Sequence, residues 1–384
     1  MQGGTVLAQK KINCTIMRGG TSKGVFFHEK DLPPAGPERD KVILKVFGSP
    51  DTNQINGLGG AVSTTSKTAI IGPPTVPGAD VNYTFGQVSI LTPIVDYKGN
   101  CGNISSAVGP FAIDEGLVEA VEPETVVHIY NTNTKKIIKA YVPVEDGRAA
   151  ASGDCEIAGV PGTGPRIFLE FDHPGGAVTG KLFPTGHATD EVDLGEDGKY
   201  TVSIVDAANP LVFVKAEALG LTGKELPSEI DSDPEMLRLL ERIRSYAAWM
   251  LGFVDDPAKA TKESPAVPKM TFVAKSDTYT TVGGRTYGAE DMDFLSRTMS
   301  MQKAHRAYAI TGAICTAAAA MLPGTVVNDV AEIRREGQVT FGHPEGLITL
   351  RIKIKENEDR TMEVESASVE RTARRIMEGT AYYE

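Results

Sequence analysis

The sequence predicts an α+β protein of two pseudo-symmetric domains, each a curved, mostly antiparallel sheet wrapped round a central helix. Three observations predict it. The chain has 384 residues, enough for two separate cores. Runs rich in Val, Ile and Thr, bounded by Gly, Pro and Asn, recur through both halves. Each half also holds one helical stretch of small residues, starting at Gly102 and near Gly312. A closely wrapped sheet requires such a helix, because bulky side chains would hold the strands away. The domains are expected at 1–186 and 187–370, with the segment 371–384 packing back on the first.

The elements follow in order. Residues 12–17 alternate as a strand, the glycine turn Arg18-Gly19-Gly20-Thr21-Ser22-Lys23-Gly24 follows, and Val25-Phe26-Phe27 begins a second strand. A short helix is expected over 40–47, a strand over 68–71, and one or two strands over 83–95. The first small-residue helix is expected over 104–118. Strands then follow at 125–131, 136–144 and 166–171, and the glycine-containing stretch 175–186 reads as a crossover. In the second half, strands are expected at 200–205 and 211–214. A long helix over 234–251 has Asp233 as its cap, Pro234 in its first position, and Met236, Leu239, Leu240, Ile243 and Ala247 at helical spacing. Residues 291–322 read as two helices broken near Thr311-Gly312, with the alanine-rich 313–322 buried.

Composition narrows the function. A net charge of -11 with 41% hydrophobic and 23% charged residues describes an ordinary folded chain. It argues against nucleic acid or an anionic membrane surface as partner, since both demand a basic footprint. The four cysteines, Cys14, Cys101, Cys155 and Cys315, are far apart and lack metal-ligand spacing. Neither a metal site nor a disulfide framework is indicated, and a reducing cytoplasm fits best. The segment 1–11 lacks an apolar core of signal-peptide length, and no apolar run approaches the roughly 20 residues of a membrane span. A homo-oligomer is compatible with the sequence. The stretch Gly57-Leu58-Gly59-Gly60 has neither a dinucleotide fingerprint nor a phosphate-loop ending.

The chemistry concentrates at Asn100-Cys101-Gly102-Asn103. This sets a thiol directly before a helix, where unpaired backbone N–H groups and the partial positive charge of the helix N-terminus stabilise a thiolate and a neighbouring carboxylate. Gly102 permits close approach of a ligand, and Asn100 or Asn103 is expected to cap. Taken alone, a Cys-Gly pair is more often a buried cysteine in a glycine turn.

The motifs taken together resemble a known family. Met17-Arg18-Gly19-Gly20-Thr21-Ser22-Lys23-Gly24, Thr65-Ser66-Lys67, Gly99-Asn100-Cys101-Gly102-Asn103, Thr179-Gly180-Lys181 with Pro184-Thr185-Gly186, Asn209-Pro210 and Pro323-Gly324-Thr325 resemble, in order and over nearly the whole chain, the 2-methylaconitate isomerase family. That family includes methylitaconate delta-isomerase and 4-oxalomesaconate tautomerase and has the diaminopimelate epimerase-like fold. The resemblance implies a cleft between the two domains, with each central helix offering its N-terminus to a substrate carboxylate. It also implies a cofactor-independent proton transfer on a small di- or tricarboxylate. Overall similarity leans to the methylitaconate isomerase branch.

Epimerases of this fold carry a cysteine at both helix entrances. Cys101 matches the first, but the residues before Gly312 are Tyr308, Ala309 and Ile310, and Cys315 lies a turn inside the helix. Stereoinversion by two thiols is therefore not expected. The implied reaction removes an allylic proton beside a carboxylate-bearing carbon and returns a proton elsewhere along the delocalised carbanion, so the site must stabilise negative charge. By the resemblance, Lys67 and Cys101 are the candidate catalytic residues. Arg18, Gly19, Thr21, Ser22, Ser66, Gly102, Asn103, Lys181, Asn209, Thr311 and Gly312 are the candidate substrate-binding residues, with no metal and no cofactor. Taken alone, Lys67 is an ordinary lysine at a strand start and Arg18 an ordinary hydrogen-bonding residue at a strand end. The rival class is a non-catalytic carboxylate-binding accessory protein.

Overall fold

Two compact units arise from one plan used twice. The computed structural model describes residues 9–97 and 99–384, so the expectation for the segment 1–11 falls largely outside the described residues. One unit comprises the chain up to Leu169 together with Arg371–Glu384, and the other comprises Glu170–Glu370. The sequence set the change of domain at 186/187. Residues 170–186 group with the second unit, where Gly176 N donates to the Asp206 carbonyl oxygen, Asp206 N donates to that of Leu182, and the Asp206 carboxylate accepts from the backbone N–H groups of Val178 and Thr179.

In the first unit, strand β1 (Lys10–Gly19) turns tightly into β2 (Ser22–His28), helix α1 (Pro37–Phe47) follows, and then come β3 (Lys67–Gly72), β4 (Val81–Val88) and the short β5 (Val95–Asp96). Helix α2 (Gly102–Asp114) precedes β6 (Glu124–Asn131) and β7 (Lys136–Glu145). β1 pairs antiparallel with β2, β2 parallel with β3, β3 antiparallel with β4, β4 parallel with β6, and β6 antiparallel with β7. The closing strand Ala373–Tyr383 runs antiparallel along the other edge of β1.

α2 is enclosed by this sheet. Every residue from Gly102 to Ile113 is buried, and the small side chains make that enclosure feasible: a β-carbon on Gly109 would lie 2.7 Å from Val142. Full burial of Ile104, Val108 and Phe111 contributes roughly 1.5–3 kcal/mol each. α1 packs the outside through Val42, Ile43, Val46 and Phe47. It begins earlier than the alternation suggested, because Pro37 occupies its first position.

The second unit repeats the pairings. Lys199–Asp206 and Pro210–Lys215 are antiparallel, Pro210–Lys215 and Lys269–Lys275 parallel, Lys269–Lys275 and Phe294–Ser300 antiparallel, Phe294–Ser300 and Gln338–His343 parallel, and Gln338–His343 and Gly346–Glu356 antiparallel. Three helices, α3 (Pro227–Asp231), α4 (Pro234–Met250) and α5 (Ala260–Glu263), lie between the second and third of these strands. The central helix α6 (Ile310–Met321) occupies the place that α2 holds in the first unit, between the fourth and fifth strands. α4 starts at the Asp233 carboxylate, which accepts from the backbone N–H groups of Glu235 and Met236, and it buries Leu240, Ile243 and Ala247 against Val212, Val214 and Phe272.

The expectation of helix over 291–309 is overturned. Phe294–Ser300 is a strand with both faces covered, so it lacks the alternation that marks a half-buried strand. Its Met, Leu and Arg are good helix formers, and tertiary context overrides that preference.

Candidate active site

The entrance of α2 is built by two glycines. The β1–β2 turn consists of Gly20 and Thr21 between the paired Gly19 and Ser22. A β-carbon on Gly19 would lie 2.3 Å from the Asn103 carbonyl oxygen, and one on Gly20, whose φ is +50°, would lie 2.1 Å from Asn103 Oδ1. The hairpin can therefore lie directly on the first turn of the helix. Asn103 Nδ2 donates to Thr21 Oγ1 at 3.1 Å, and Thr21 N donates to Asn103 Oδ1 at 3.4 Å. Cys101 is the N-cap residue, and its Sγ lies 4.0 Å from the buried Ser22 hydroxyl.

Among the described residues, no side chain caps α2. This corrects the expectation for the flanking asparagines: Asn100 Oδ1 accepts from Asn131 Nδ2 at 2.7 Å, and Asn103 is engaged with Thr21. The amides of the first turn thus have no side-chain cap among the described residues, the condition an anion-binding helix start requires.

Lys67 faces the same helix. Gly24 of β2 pairs with Lys67 of β3, Lys67 pairs with Gln87 of β4, and Gln87 pairs with Asp96 of β5. Directly paired residues share a sheet face. A β-carbon on Gly24 would meet Ile104 of α2 at 3.1 Å, so this row lies on the face that meets α2. Lys67 Nζ donates to Gln87 Oε1 at 2.7 Å and stands 5.2 Å from the centre of the Phe85 ring. Cation–π attraction of that kind is worth about 0.5–1 kcal/mol.

Two other expected ligands have structural partners. Arg18 Nη1 donates to the carbonyl oxygens of Gly20 and Thr372 and to Thr372 Oγ1, each at 3.0 Å. Burial, aided by the nearby Arg374, moves its guanidinium below the ordinary arginine value. It ties the hairpin to the start of the closing strand. Ser66 is fully buried and donates its hydroxyl to Gln54 Oε1 at 2.6 Å. The same oxygen accepts from Ala61 N at 2.8 Å, so Ser66 anchors the 54–66 loop.

Lys181, Asn209, Thr311 and Gly312 lie in the second unit. Lys181 is exposed. Asn209 Nδ2 is buried without a hydrogen-bond partner among the described residues, as an amide awaiting a ligand would be. Thr311 and Gly312 are in the buried first turn of α6, which also lacks a side-chain cap. Its N-cap residue is Ala309, in the position that Cys101 fills in α2. Cys315 is fully buried, its thiol donates to the Val205 carbonyl oxygen at 3.1 Å, and burial pushes that thiol far above the ordinary range. The second helix entrance thus carries no thiol.

Three residues around α2 escaped sequence reasoning. Gln87 was one of many polar residues in a strand-like run. Tyr83, two positions from Phe85 on the same face, is fully buried. Its hydroxyl finds no hydrogen bond of good geometry among the described residues. Burial, with the Cys101 thiol adding to it, raises the phenol well above its usual value, and Ser105 only partly offsets this. Asn131 is fully buried; it donates to Asn100 and accepts from the backbone N–H groups of Asn133 and Thr134. The period-2 spacing of Tyr83, Phe85 and Gln87 was the available signal.

Comparison with known proteins places the chain. The family described as PrpF protein matches residues 9–384. The chain is 50% identical over 378 residues to the 3-methylitaconate isomerase of Eubacterium barkeri, covering 98% of both. It is 42% identical to the 2-methyl-aconitate isomerase of Shewanella oneidensis, covering 97% of this chain and 96% of that protein. The crystal structure of methylitaconate-delta-isomerase superposes with a TM-score of 0.85 at 49% identity, covering 98% of this chain and 96% of that one. A hydroxyproline epimerase from Agrobacterium vitis, 12% identical with a TM-score of 0.57 over 97% of this chain and 92% of that one, shares the fold. With its diaminopimelate epimerase-like architecture in hand, this chain belongs to the PrpF protein family and is an isomerase.

Proposed function

We propose that the protein shifts the carbon–carbon double bond of a small unsaturated dicarboxylate, methylitaconate to dimethylmaleate, by allylic proton transfer. The observation that carries this reading is an N-cap thiol on an enclosed helix without a side-chain cap among the described residues, whose face is shared by Lys67, with no thiol at the matching entrance of the second unit. The relatives' names supply the substrate class.

In this mechanism the unprotonated Lys67 amine takes the allylic proton, and the electron pair of the broken C–H bond delocalises through the double bond into a carboxylate. Amides of the first turn of α2 and the Thr21 and Ser22 hydroxyls hold that charge. A proton then returns to the far carbon of the allyl system from the Lys67 ammonium itself, or from the Cys101 thiol, in which case the Cys101 thiolate afterwards regains the proton held by Lys67 by way of solvent and both groups are reset. No net redox change occurs. The four free cysteines suit a reducing cytoplasm.

Proton NMR in heavy water, with methylitaconate, 2-methylaconitate and 4-oxalomesaconate as parallel substrates, tests the reading. Methylitaconate should isomerise fastest with deuterium incorporation, and Lys67→Ala should lose about 10²–10⁴-fold in turnover. Full turnover in a folded Lys67→Ala protein would sink the lysine assignment. Stoichiometric carboxylate binding with no exchange would mark a binding protein instead.

A further inference from the structure

We infer that Gln87 is the positioning residue for Lys67, holding its amine on the α2 face with a neutral acceptor where a carboxylate would trap it as an ion pair. The inference rests on the reading that Lys67 moves the proton.

The geometry fixes both ends of the Gln87 amide. Its Nε2 donates to the carbonyl oxygens of Ser66 at 2.9 Å and Ser63 at 3.1 Å. A flipped amide would face two carbonyls with its oxygen, so Oε1 must point towards Lys67, where it accepts from Nζ at 2.7 Å. Those two carbonyls belong to the loop that Gln54 secures through Ser66 and Ala61. The lysine is thereby referenced to a fixed backbone frame.

Neutrality is the second half of the argument. Across β4, Gln87 separates Lys67 from Asp96 in one cross-strand row. Near the entrance of α2 the other titratable groups on this face, among the described residues, are the Tyr83 phenol and the Cys101 thiol, the latter beside the neutral Ser22 hydroxyl; further along the helix His28 and Arg375 pack on Phe111 and both pair with Glu115. Gly24, on the opposite side of Lys67, contributes no side chain. An amide at position 87 therefore directs the lysine without adding an anion at contact distance. An adjacent carboxylate would favour the ammonium form and withhold the base.

The test is the pH profile of kcat/KM for proton exchange, measured on the wild type, Gln87→Glu, Gln87→Met and Lys67→Ala. Gln87→Glu should move the limb on which activity rises with pH upward by about one unit or more. Turnover below that limb should fall about tenfold or more, with the high-pH plateau nearly restored. Gln87→Met, which offers no acceptor of comparable strength, should lower kcat about tenfold with KM changed less than about threefold, because the oriented amine matters most in the transition state. A Gln87→Glu profile that superimposes on the wild type while Lys67→Ala is inactive would overturn this inference and leave the lysine reading intact. An active Lys67→Ala protein would overturn both. Should Gln87→Glu fail to fold, a Gln87→Met protein with wild-type kcat overturns the inference by itself.

Discussion

Gly20 and Asn103 touch so closely that a single methyl group would separate the hairpin from the helix: the added β-carbon would sit 2.1 Å from Asn103 Oδ1. That contact, with its neighbour at Gly19, sets how near the donors of Thr21 and Ser22 come to the Cys101 thiol.

Gly20→Ala should therefore damage the site more than the fold. The positive φ of +50° costs an alanine about 1–2 kcal/mol, and Asn103 must swing away from Thr21 to make room. Urea denaturation should show a loss of about 1–3 kcal/mol, with turnover falling further than the folded fraction does. Gly19→Ala meets backbone at 2.3 Å and should be the more destabilising of the two.

The two helix cysteines should behave differently. Cys101 borders the Ser22 hydroxyl at the start of α2, whereas Cys315 is sealed inside α6. Cys101→Ser should lose most deuterium wash-in, and Cys315→Ala should keep turnover within about threefold while losing on the order of 1 kcal/mol of stability. Because burial holds the Cys315 thiol protonated, its labelling by a thiol reagent at pH 8 should await unfolding. Peptide mapping of labelled protein, native and in urea, checks this.

Acid should release the closing strand. Burial works against the Glu115 carboxylate, but its hydrogen bonds to His28 at 3.0 Å and Arg375 at 2.7 Å prevail and hold it below the ordinary carboxylate value. A carboxyl lowered in the fold contributes stability above its unfolded value, here 4.5, and loses it as pH falls through the lower folded value. Amide exchange across Ala373–Tyr383 should therefore accelerate below about pH 4.5, earlier than exchange within α2, and Glu115→Gln should bring that loosening to neutral pH.

Much of this was legible from local pattern. The alternating runs gave β1 to β4, the small residues gave α2 and α6, and Asp233-Pro234 gave the start of α4. The covered strand Phe294–Ser300 was not, because burial on both faces removes period-2 alternation and leaves only composition, which favoured helix. At the site, the glycine turn and the thiol were visible, but their partners were not. Lys67 meets Gln87 through the register of two strands, and Ser66 is bound to Gln54 by a loop closure. Neither relation has a signature at any fixed spacing along the chain. The unequal helix entrances were visible as a missing cysteine; the structure adds that Ala309 stands in that place.

The strand Ala373–Tyr383 pairs with β1 along its length, from Tyr383 opposite Lys10 to Ala373 opposite Gly19. During synthesis, β1 leaves the ribosome long before its edge partner exists. The unit carrying Cys101 and Lys67 must wait for this late strand to close its sheet, whereas the Glu170–Glu370 unit has already been synthesised by then. The half of the molecule encoded second can finish first, leaving the edge of β1 exposed throughout that interval.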